Sequence, residues 1–149
     1  MSTDVKINRG LKSIYFERSG VSHIDGAKGE LSYRGYSIHD LATKSTFEEV
    51  SYLLIYGELP TPPQLAEFDH KLKAARQLPP AVYEIIKAAS TGHPMDVLRT
   101  AVSSLAALEP DSQKVSEEDF AENGIRLPSQ VPMIIAAHEN NPNGRHRRW

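Results

Sequence analysis

One segment, Pro94–Leu108, constrains the fold of this chain more than any other. Proline suits the first position of a helix, and apolar residues then recur at helical spacing on two separate faces. A helix at the surface of a protein needs only one apolar face, so this helix is predicted to lie between neighbours. Its second neighbour is either another part of the same chain or another subunit. The two faces are Met95, Leu98, Val102 and Leu105, and Val97, Ala101, Ser104 and Leu108.

Start signals for further helices recur along the chain from residue 37 onward. A capping serine or threonine, or a proline of the first turn, precedes each apolar stretch of helical period. The predicted starts are Ser37, Thr46, Thr61, Pro79–Pro80 and Ser116. After Thr61 and Pro79–Pro80 the predicted apolar faces are Leu65, Phe68, Leu72 and Ala75, and Val82, Ile85, Ile86 and Ala89. The apolar residues of the last helix are Phe120, Leu127, Val131, Ile134 and Ile135.

Two prolines, Pro128 and Pro132, lie inside the last of these patterns. Each proline removes a helical hydrogen bond and costs about 3 kcal/mol or more in a helix interior. We therefore expect a kink or two shorter helices, followed by a stop at Asn140–Gly144.

The first 36 residues follow a different pattern. Val21–Ile24 and Glu30–Tyr33 contain β-branched, aromatic and leucine residues, and the connection Asp25–Gly29 contains two glycines. This arrangement predicts a β-hairpin, with Gly35 ending its second strand. The predicted fold class is mainly α, with a small N-terminal β-hairpin followed by a multi-helix array.

Composition excludes several classes of protein. The chain has 149 residues, 40% of them apolar, and a net charge of −2, which is typical of one globular domain and argues against wholesale disorder and nucleic-acid binding. There are no cysteines, so disulfides and cysteine metal sites are excluded. The longest nearly apolar run, Val50–Tyr56, is too short to cross a bilayer. Met1–Lys6 lacks the features of a secretory signal, and a cytoplasmic location is expected by default.

Few residues are candidates for a catalytic, metal-binding or ligand-binding role. The six histidines include no pair four residues apart, so no helical zinc site is predicted. His93 precedes a helix, where it either donates a hydrogen bond as neutral imidazole or caps the helix, and we favour the cap. Arg34 lies between aromatic residues, where it either binds an anion or belongs to a structural turn and pairs with a carboxylate. We favour the structural turn. Glu117–Asp119 is interpreted as a charged helix start. Arg145, Arg147 and Arg148 either contact phosphates or form a solvated, disordered end, and we favour the second.

Six strings in the chain together resemble the N-terminal part of citrate synthases, most closely the shorter bacterial and archaeal type that includes 2-methylcitrate synthases. The strings occur in the family's order and at similar spacing. They are Ser22–Gly26, Gly29–Ile38, Phe47–Leu54, Gly57–Thr61, Leu78–Pro80 and His93–Thr100.

The resemblance implies a helical enzyme of two domains that condenses acetyl-CoA with oxaloacetate in the tricarboxylic acid cycle. It covers residues 10–138, about the first third of a family member, as a partial large domain. A flexible N-terminus (1–9) and a divergent, basic, disordered tail (139–149) are expected on either side. The family's catalytic histidine and aspartate motifs belong to later segments and are missing here, so no catalytic, cofactor-binding or metal residue is assigned, and His93 receives no catalytic role.

The resemblance therefore implies a truncated chain that is inactive alone, without covalently bound cofactor and without productive acetyl-CoA binding. A frameshift, a premature stop, a split gene or a short paralogue would each explain it. The alternative function is a non-catalytic interaction module that associates with a full-length synthase or with itself. The expected contact is a homodimer or heterodimer through the helix Pro94–Leu108, which resembles one that packs at the family's dimer interface. Preference for acetyl or propionyl substrates is left open.

Overall fold

The computed structural model describes residues 19–108 and 116–141, which divide into two compact units at Thr46 and Phe47. The first unit contains strands β1 (Ser22–Asp25), β2 (Glu30–Tyr33) and β3 (Tyr36–Ser37) and helix α1 (Ile38–Lys44). The second contains helices α2 (Phe47–Tyr56), α3 (Pro62–Ala74), α4 (Pro80–Ala88), α5 (Pro94–Leu108) and α6 (Glu117–Glu139). The predicted fold class is confirmed. The predicted domain limits at residues 9 and 138 remain predictions.

The predicted hairpin is formed by β1 and β2. The two strands pair antiparallel, with Ser22 opposite Tyr33 and Asp25 opposite Glu30. At the turn, Asp25 Oδ1 accepts hydrogen bonds from the backbone N–H groups of Ala27 and Lys28, both at 3.1 Å. An aspartate that bonds the backbone two residues ahead is a typical turn-former, which explains why the chain reverses here.

A third strand, which the sequence pattern did not predict, extends the hairpin to a three-stranded antiparallel sheet. Arg34 and Gly35 have φ angles of 49° and 88°, and positive φ at both central residues is what a tight two-residue hairpin turn requires. Tyr36 then pairs with Tyr33. Gly35 does end β2, as predicted, but β3 has only two residues and is too short to show an alternating pattern.

The predicted helix starts agree with the structure to within one residue. Before α3, the backbone N–H of Thr61 donates to Gln64 Oε1 at 2.8 Å. Before α6, the N–H of Ser116 donates to Asp119 Oδ2 at 2.9 Å, and the N–H of Asp119 donates to Ser116 Oγ at 3.1 Å. Such bonds satisfy backbone donors that have no partner inside the helix.

Two buried clusters hold the helices of the second unit together, and α6 takes part in both. One cluster joins α2, α3 and α6 and the other joins α4, α5 and α6. Their buried members are Phe68, Leu72 and Ile125 in the first, and Leu78, Val82, Ile86, Val97, Ala101, Leu105 and Ile134 in the second.

Of the two outcomes expected at Pro128 and Pro132, the division into two shorter helices is wrong, because α6 continues through both prolines; the kink stays a prediction. Ile125 and Ile134 lie on either side of them and are each buried in one of the two clusters. Packing at both ends therefore offsets the lost backbone hydrogen bonds. Between the prolines, the hydroxyl of Ser129 donates to the carbonyl of Ile125 at 2.7 Å.

The apolar residues of α6 have different environments. Ile134 is buried and Val131 is half-buried, whereas Phe120, Leu127 and Ile135 are 64%, 44% and 49% exposed. Polar residues occupy part of the inner side instead: Ser129, Gln130 and His138 are buried. A pattern of period 3.6 identifies an apolar stripe, but it cannot say whether that stripe faces the rest of the chain.

The two predicted faces of α5 have different environments. Val97, Ala101 and Leu105 are buried in the cluster with α4 and α6, so the second neighbour of α5 belongs to the same chain. Met95 and Leu108, at the two ends of the helix, are exposed. The presence of apolar residues on two faces of α5 is therefore explained mainly by the position of α5 between α4 and α6.

Candidate functional site

His93 forms the start of α5. Its Nδ1 accepts a hydrogen bond from the backbone N–H of Met95 at 3.2 Å, and its carbonyl accepts from the N–H groups of Asp96 and Val97 at 2.8 and 3.0 Å. An imidazole nitrogen that accepts a hydrogen bond carries no proton. The helix-cap interpretation of His93 is therefore confirmed by the geometry.

Arg34 belongs to the turn between β2 and β3. Its backbone N–H donates to the carbonyl of Val21 at 2.9 Å, and its positive φ is rare for a residue with a side chain. These features fit the structural-turn interpretation. The three C-terminal arginines, Arg145, Arg147 and Arg148, lie outside the described residues.

The pKa shifts in the described part of the chain come from exposed ion pairs within helices. The hydrogen bond and charge of Lys44, 2.6 Å away, hold the pKa of the Asp40 carboxyl below its usual value. Lys71, 2.7 Å away, lowers the pKa of Glu67, which in turn raises the pKa of Lys71. Exposed pairs of this kind are worth little, and they do not mark a catalytic group.

Residues 19–108 and 116–141 contain no cluster of three or more histidine and carboxylate side chains that could hold a metal ion. Over the same ranges, no helix is both long and apolar enough to cross a membrane.

Two recesses lie along the seam between α5 and α6. The first, the lower recess, has a volume of about 180 Å³ and lies between the start of α5 and the end of α6. It is mainly apolar, and its lining residues are Pro94, Met95, Leu98, Ile134, Ile135, His138 and Glu139.

The second, the upper recess, has a volume of about 240 Å³ and lies between the later turns of α5 and the middle of α6. One side is apolar and the other is polar, and the guanidinium of Arg126 donates to Asn123 Oδ1 at 2.7 Å on the polar side. Its lining residues are Val102, Leu105, Ala106, Asn123, Arg126, Leu127 and Gln130.

Each recess includes a buried polar side chain with one unpartnered atom. Gln130 donates from Nε2 to the carbonyl of Gln77 at 3.0 Å, but its Oε1 has no hydrogen-bond partner. His138 Nδ1 lies 3.8 Å from the carboxylate of Glu139, and its Nε2 has no partner. Buried polar atoms without a hydrogen-bond partner cost free energy, so the hydrogen bonding in this seam is less complete than in an ordinary core.

A third recess, of about 210 Å³, lies between α2 and α3. The rings of Tyr52 and Tyr56 pack against the edge or face of Phe68, with centroids 5.4 and 6.1 Å from it. The ion pair of Glu67 and Lys71 lies at its border. Aromatic packing of this type stabilises a core, and nothing in the recess is arranged for proton transfer.

Comparison with known proteins decides the family. A family model described as "Citrate synthase, C-terminal domain" matches residues 10–148. This chain belongs to the citrate synthase family. The resemblance that the strings Ser22–Gly26 and His93–Thr100 indicated is thereby confirmed.

Individual relatives and solved structures agree with this assignment. The chain is 43% identical over 136 residues to citrate synthase of Acidithiobacillus ferridurans, and 36% identical over 135 residues to 2-methylcitrate synthase 1 of Corynebacterium glutamicum. Citrate synthase from Pyrobaculum aerophilum matches 95% of the chain with a TM-score of 0.84 and 36% identity. A structure of the Thermoplasma acidophilum citrate synthase, a ternary complex with carboxymethyl coenzyme A and oxaloacetate, matches 92% of the chain with a TM-score of 0.82 and 26% identity.

The chain corresponds to only part of each of these proteins. The match covers 87% of this chain but 35% of the Acidithiobacillus relative, and 90% of this chain but 35% of the Corynebacterium relative. It spans 37% of the Pyrobaculum chain. The match therefore concerns a fragment of the family fold.

Sequence reasoning identified α5 as the element of most interest but missed the role of α6. The residues that make the α5–α6 seam unusual, Gln130 and His138, were not singled out, because a lone glutamine or histidine on a helix carries no pattern. Phe120, Leu127 and Ile135 were identified as apolar residues of the last helix, but the pattern did not indicate that they are exposed.

Proposed function

We propose that this chain supplies a helical portion of a citrate synthase-type enzyme and does not catalyse the reaction alone. The reaction, as the family resemblance implies, joins acetyl-CoA, oxaloacetate and water into citrate and CoA. The observation that carries the proposal is the coverage: nearly the whole chain matches the Pyrobaculum enzyme, yet it spans 37% of that protein.

Chemistry of this kind needs several groups held in one geometry. An aspartate must remove a proton from the acetyl methyl group while histidines stabilise the developing negative charge, which works only when all are positioned together. The resemblance assigns these groups to segments outside the matched strings. In our proposal the site for acetyl-CoA and oxaloacetate is completed by the part of the fold that this chain does not cover; the Thermoplasma complex contains carboxymethyl coenzyme A and oxaloacetate.

The setting that the family suggests is the tricarboxylic acid cycle in the cytoplasm. We propose no covalently bound cofactor and no productive binding of acetyl-CoA by the chain alone. Relatives of both kinds match, citrate synthase and 2-methylcitrate synthase, so acetyl-CoA and propionyl-CoA are both appropriate test substrates.

The proposal is tested by assaying the purified chain alone and by complementing it with the rest of the enzyme. The purified chain is mixed with oxaloacetate and acetyl-CoA or propionyl-CoA, and released CoA is detected with a thiol-reactive chromophore. We expect no rate above a blank without protein. Co-expression with the unmatched portion of the Acidithiobacillus relative is expected to restore CoA release, because the two pieces together provide the family fold.

A matched pair of variants tests whether the restored activity depends on the buried core of this chain. Ala101→Asp introduces a charge at a fully buried position and should abolish the restored rate, since an unpaired buried charge is strongly destabilising. Ala107→Asp, on an exposed position of the same helix, should leave it unchanged. CoA release by the chain alone would contradict the proposed lack of activity.

Exposed apolar residues favour a second candidate, a non-catalytic interaction module that binds a full-length synthase or another copy of itself. Met95 on α5 and Phe120, Leu127 and Ile135 on α6 are all exposed; Met95 and Ile135 border the same recess, and exposed apolar surface of this kind commonly marks a contact with a partner. Charge substitutions at Val97 and Ala101 are unsuitable tests of association, because both side chains are buried within the chain. Met95→Glu is the appropriate probe on α5, with loss of co-purification as the expected result.

A further inference from the structure

We propose that Asn123 is a site of spontaneous chemical modification, at which the side-chain amide is converted to a carboxylate through a cyclic imide. The pair Asn123–Gly124 carries this chemistry, and its rate is set by how often helix α6 opens around the pair. This inference goes beyond the proposed function, because it concerns the lifetime of the folded chain and a reaction that the family does not catalyse.

The reaction needs only these two residues and water. The backbone nitrogen of Gly124 attacks the side-chain carbonyl carbon of Asn123, loses its proton and expels ammonia, which closes a five-membered succinimide ring. Water then opens the ring at either carbonyl and gives aspartate or isoaspartate. Glycine is a favourable successor to asparagine here, because it has no side chain to hinder the approach of its nitrogen. Asn123 is half-buried and lines the upper recess, of about 240 Å³, which lets water reach it.

The helical backbone of α6 opposes this reaction. Both residues lie inside α6, where each backbone N–H donates to the carbonyl four residues earlier, so the nitrogen of Gly124 is engaged in the helix. The side chain of Asn123 is also held, because its Oδ1 accepts a hydrogen bond from the guanidinium of Arg126 at 2.7 Å. Attack on the side chain therefore requires local opening of the helix.

Two helical hydrogen bonds are missing close to this pair. Pro128 has no N–H, so it donates no bond to the carbonyl of Gly124, and Pro132 likewise donates none to the carbonyl of Pro128. Glycine and proline are also the least favourable residues in a helix interior. Backbone bonding alone therefore holds this part of α6 less firmly than it holds an uninterrupted helix.

Packing against α2 and α3 keeps this part of α6 closed. A Cβ atom built on Gly124 would lie 3.4 Å from both Cγ1 and Cδ1 of Ile55, so α2 and α6 are in close contact there. The next residue, Ile125, is buried in the cluster that contains Phe68 of α3. Local opening must break these contacts, so the rate at Asn123 measures how well the cluster holds α6.

The two products have opposite effects on α6. Aspartate at position 123 keeps the helical backbone, and its carboxylate lies three residues before Arg126, a spacing that favours an ion pair. In isoaspartate the main chain runs through the former side chain and gains a methylene group inside the helix. Gly124 and Ile125 then cannot both return to their places against α2 and α3, so a chain that contains isoaspartate does not repack α6.

Peptide mass spectrometry of the purified full chain during incubation measures the rate and separates the two products. Asn143→Gln serves as the background, because it removes a further Asn–Gly pair, Asn143–Gly144. The folded chain should react at Asn123 at least about tenfold more slowly than the chain unfolded in urea, since only open α6 reacts. Gly124→Ala should slow the reaction in the unfolded chain, where the helix plays no part.

Variants of the cluster test whether opening of α6 sets the rate. Phe68→Ala should speed the reaction at Asn123 in the folded chain by about tenfold or more, because it raises the population of open α6. Phe47→Ala, at a position that is 64% exposed, is the matched control and should leave the rate unchanged. Circular dichroism establishes that each variant is folded, and urea below the unfolding transition provides the same test without a variant.

Equal rates in the folded and the unfolded chain would overturn the proposal, as would a rate at Asn123 that responds neither to Phe68→Ala nor to low urea. Equal acceleration by Phe68→Ala and Phe47→Ala would contradict the role of the cluster. Absence of isoaspartate from the products would refute the loss of α6. These measurements do not involve CoA release, so the proposed enzyme fragment and the proposed modification site can fail separately.

Discussion

Phe68 provides the most direct test of how the second unit is held together. It lies on α3 and is 2% exposed. Its ring makes edge contacts with Tyr52 and Tyr56 at interplanar angles of 87° and 80°, and it joins Leu72 and Ile125 in the cluster of α2, α3 and α6. Phe68→Ala removes the largest side chain of that cluster.

The expected loss of unfolding free energy is large. Truncating a buried phenylalanine to alanine costs about 3–5 kcal/mol, and two favourable ring pairs place Phe68 toward the upper end. Because domains are stable by only about 5–15 kcal/mol, the variant should lose roughly a fifth or more of its stability. At about 2–4 °C per kcal/mol for a chain of this size, the melting temperature should fall by about 6–20 °C.

Urea unfolding followed by circular dichroism measures this change. Phe47→Ala is the matched control, because it makes the same chemical change at a position that is 64% exposed, and it should stay within about 0.5 kcal/mol of the parent. A loss below about 1 kcal/mol for Phe68→Ala, or equal losses for both variants, would refute the burial argument.

Three further outcomes are expected. His93→Ala should cost about 1 kcal/mol in thermal melts because α5 loses its cap, whereas His93→Asn should largely preserve it. The hydrogen bond and charge of Lys71 lower the pKa of Glu67 below its usual 4.5, so the contribution of this pair is present at neutral pH and is lost as the pH falls through the lowered pKa; because the pair is exposed, Glu67→Gln should flatten the loss of helix signal below pH 4.5 only slightly. Ala101→Leu, at a fully buried site, should cost about 1–3 kcal/mol in urea unfolding through overpacking, while Ala107→Leu at an exposed site should not.

Local signals in the sequence were sufficient for the elements themselves. A capping pair such as Ser116 and Asp119 involves residues three apart, and its hydrogen bonds form without help from distant parts of the chain. The turn at Asp25 is equally local. The strings that carry the family resemblance, among them Gly29–Ile38 and His93–Thr100, are likewise short and ordered, so the amino-acid sequence alone is enough to indicate the family.

The environment of each helix was decided by tertiary packing. The patterns of α5 and α6 show which residues share a face but not which face meets a neighbour, and only the structure shows that Leu127 and Ile135 are exposed. The same applies to Pro128 and Pro132, whose local cost is outweighed by contacts that residues far away in the sequence provide.

The seam between α5 and α6 depends on both levels. Sequence by itself determined the helix starts, the β-hairpin, the family and the spacing of the apolar residues of α6, since these depend on residues close together in the chain. Only the tertiary structure decided that Leu127 and Ile135 are exposed beside two recesses and that Gln130 and His138 keep unpartnered atoms there. The burial and hydrogen bonding of a residue depend on which distant residues pack against it, and the spacing of residues in the sequence does not contain that information.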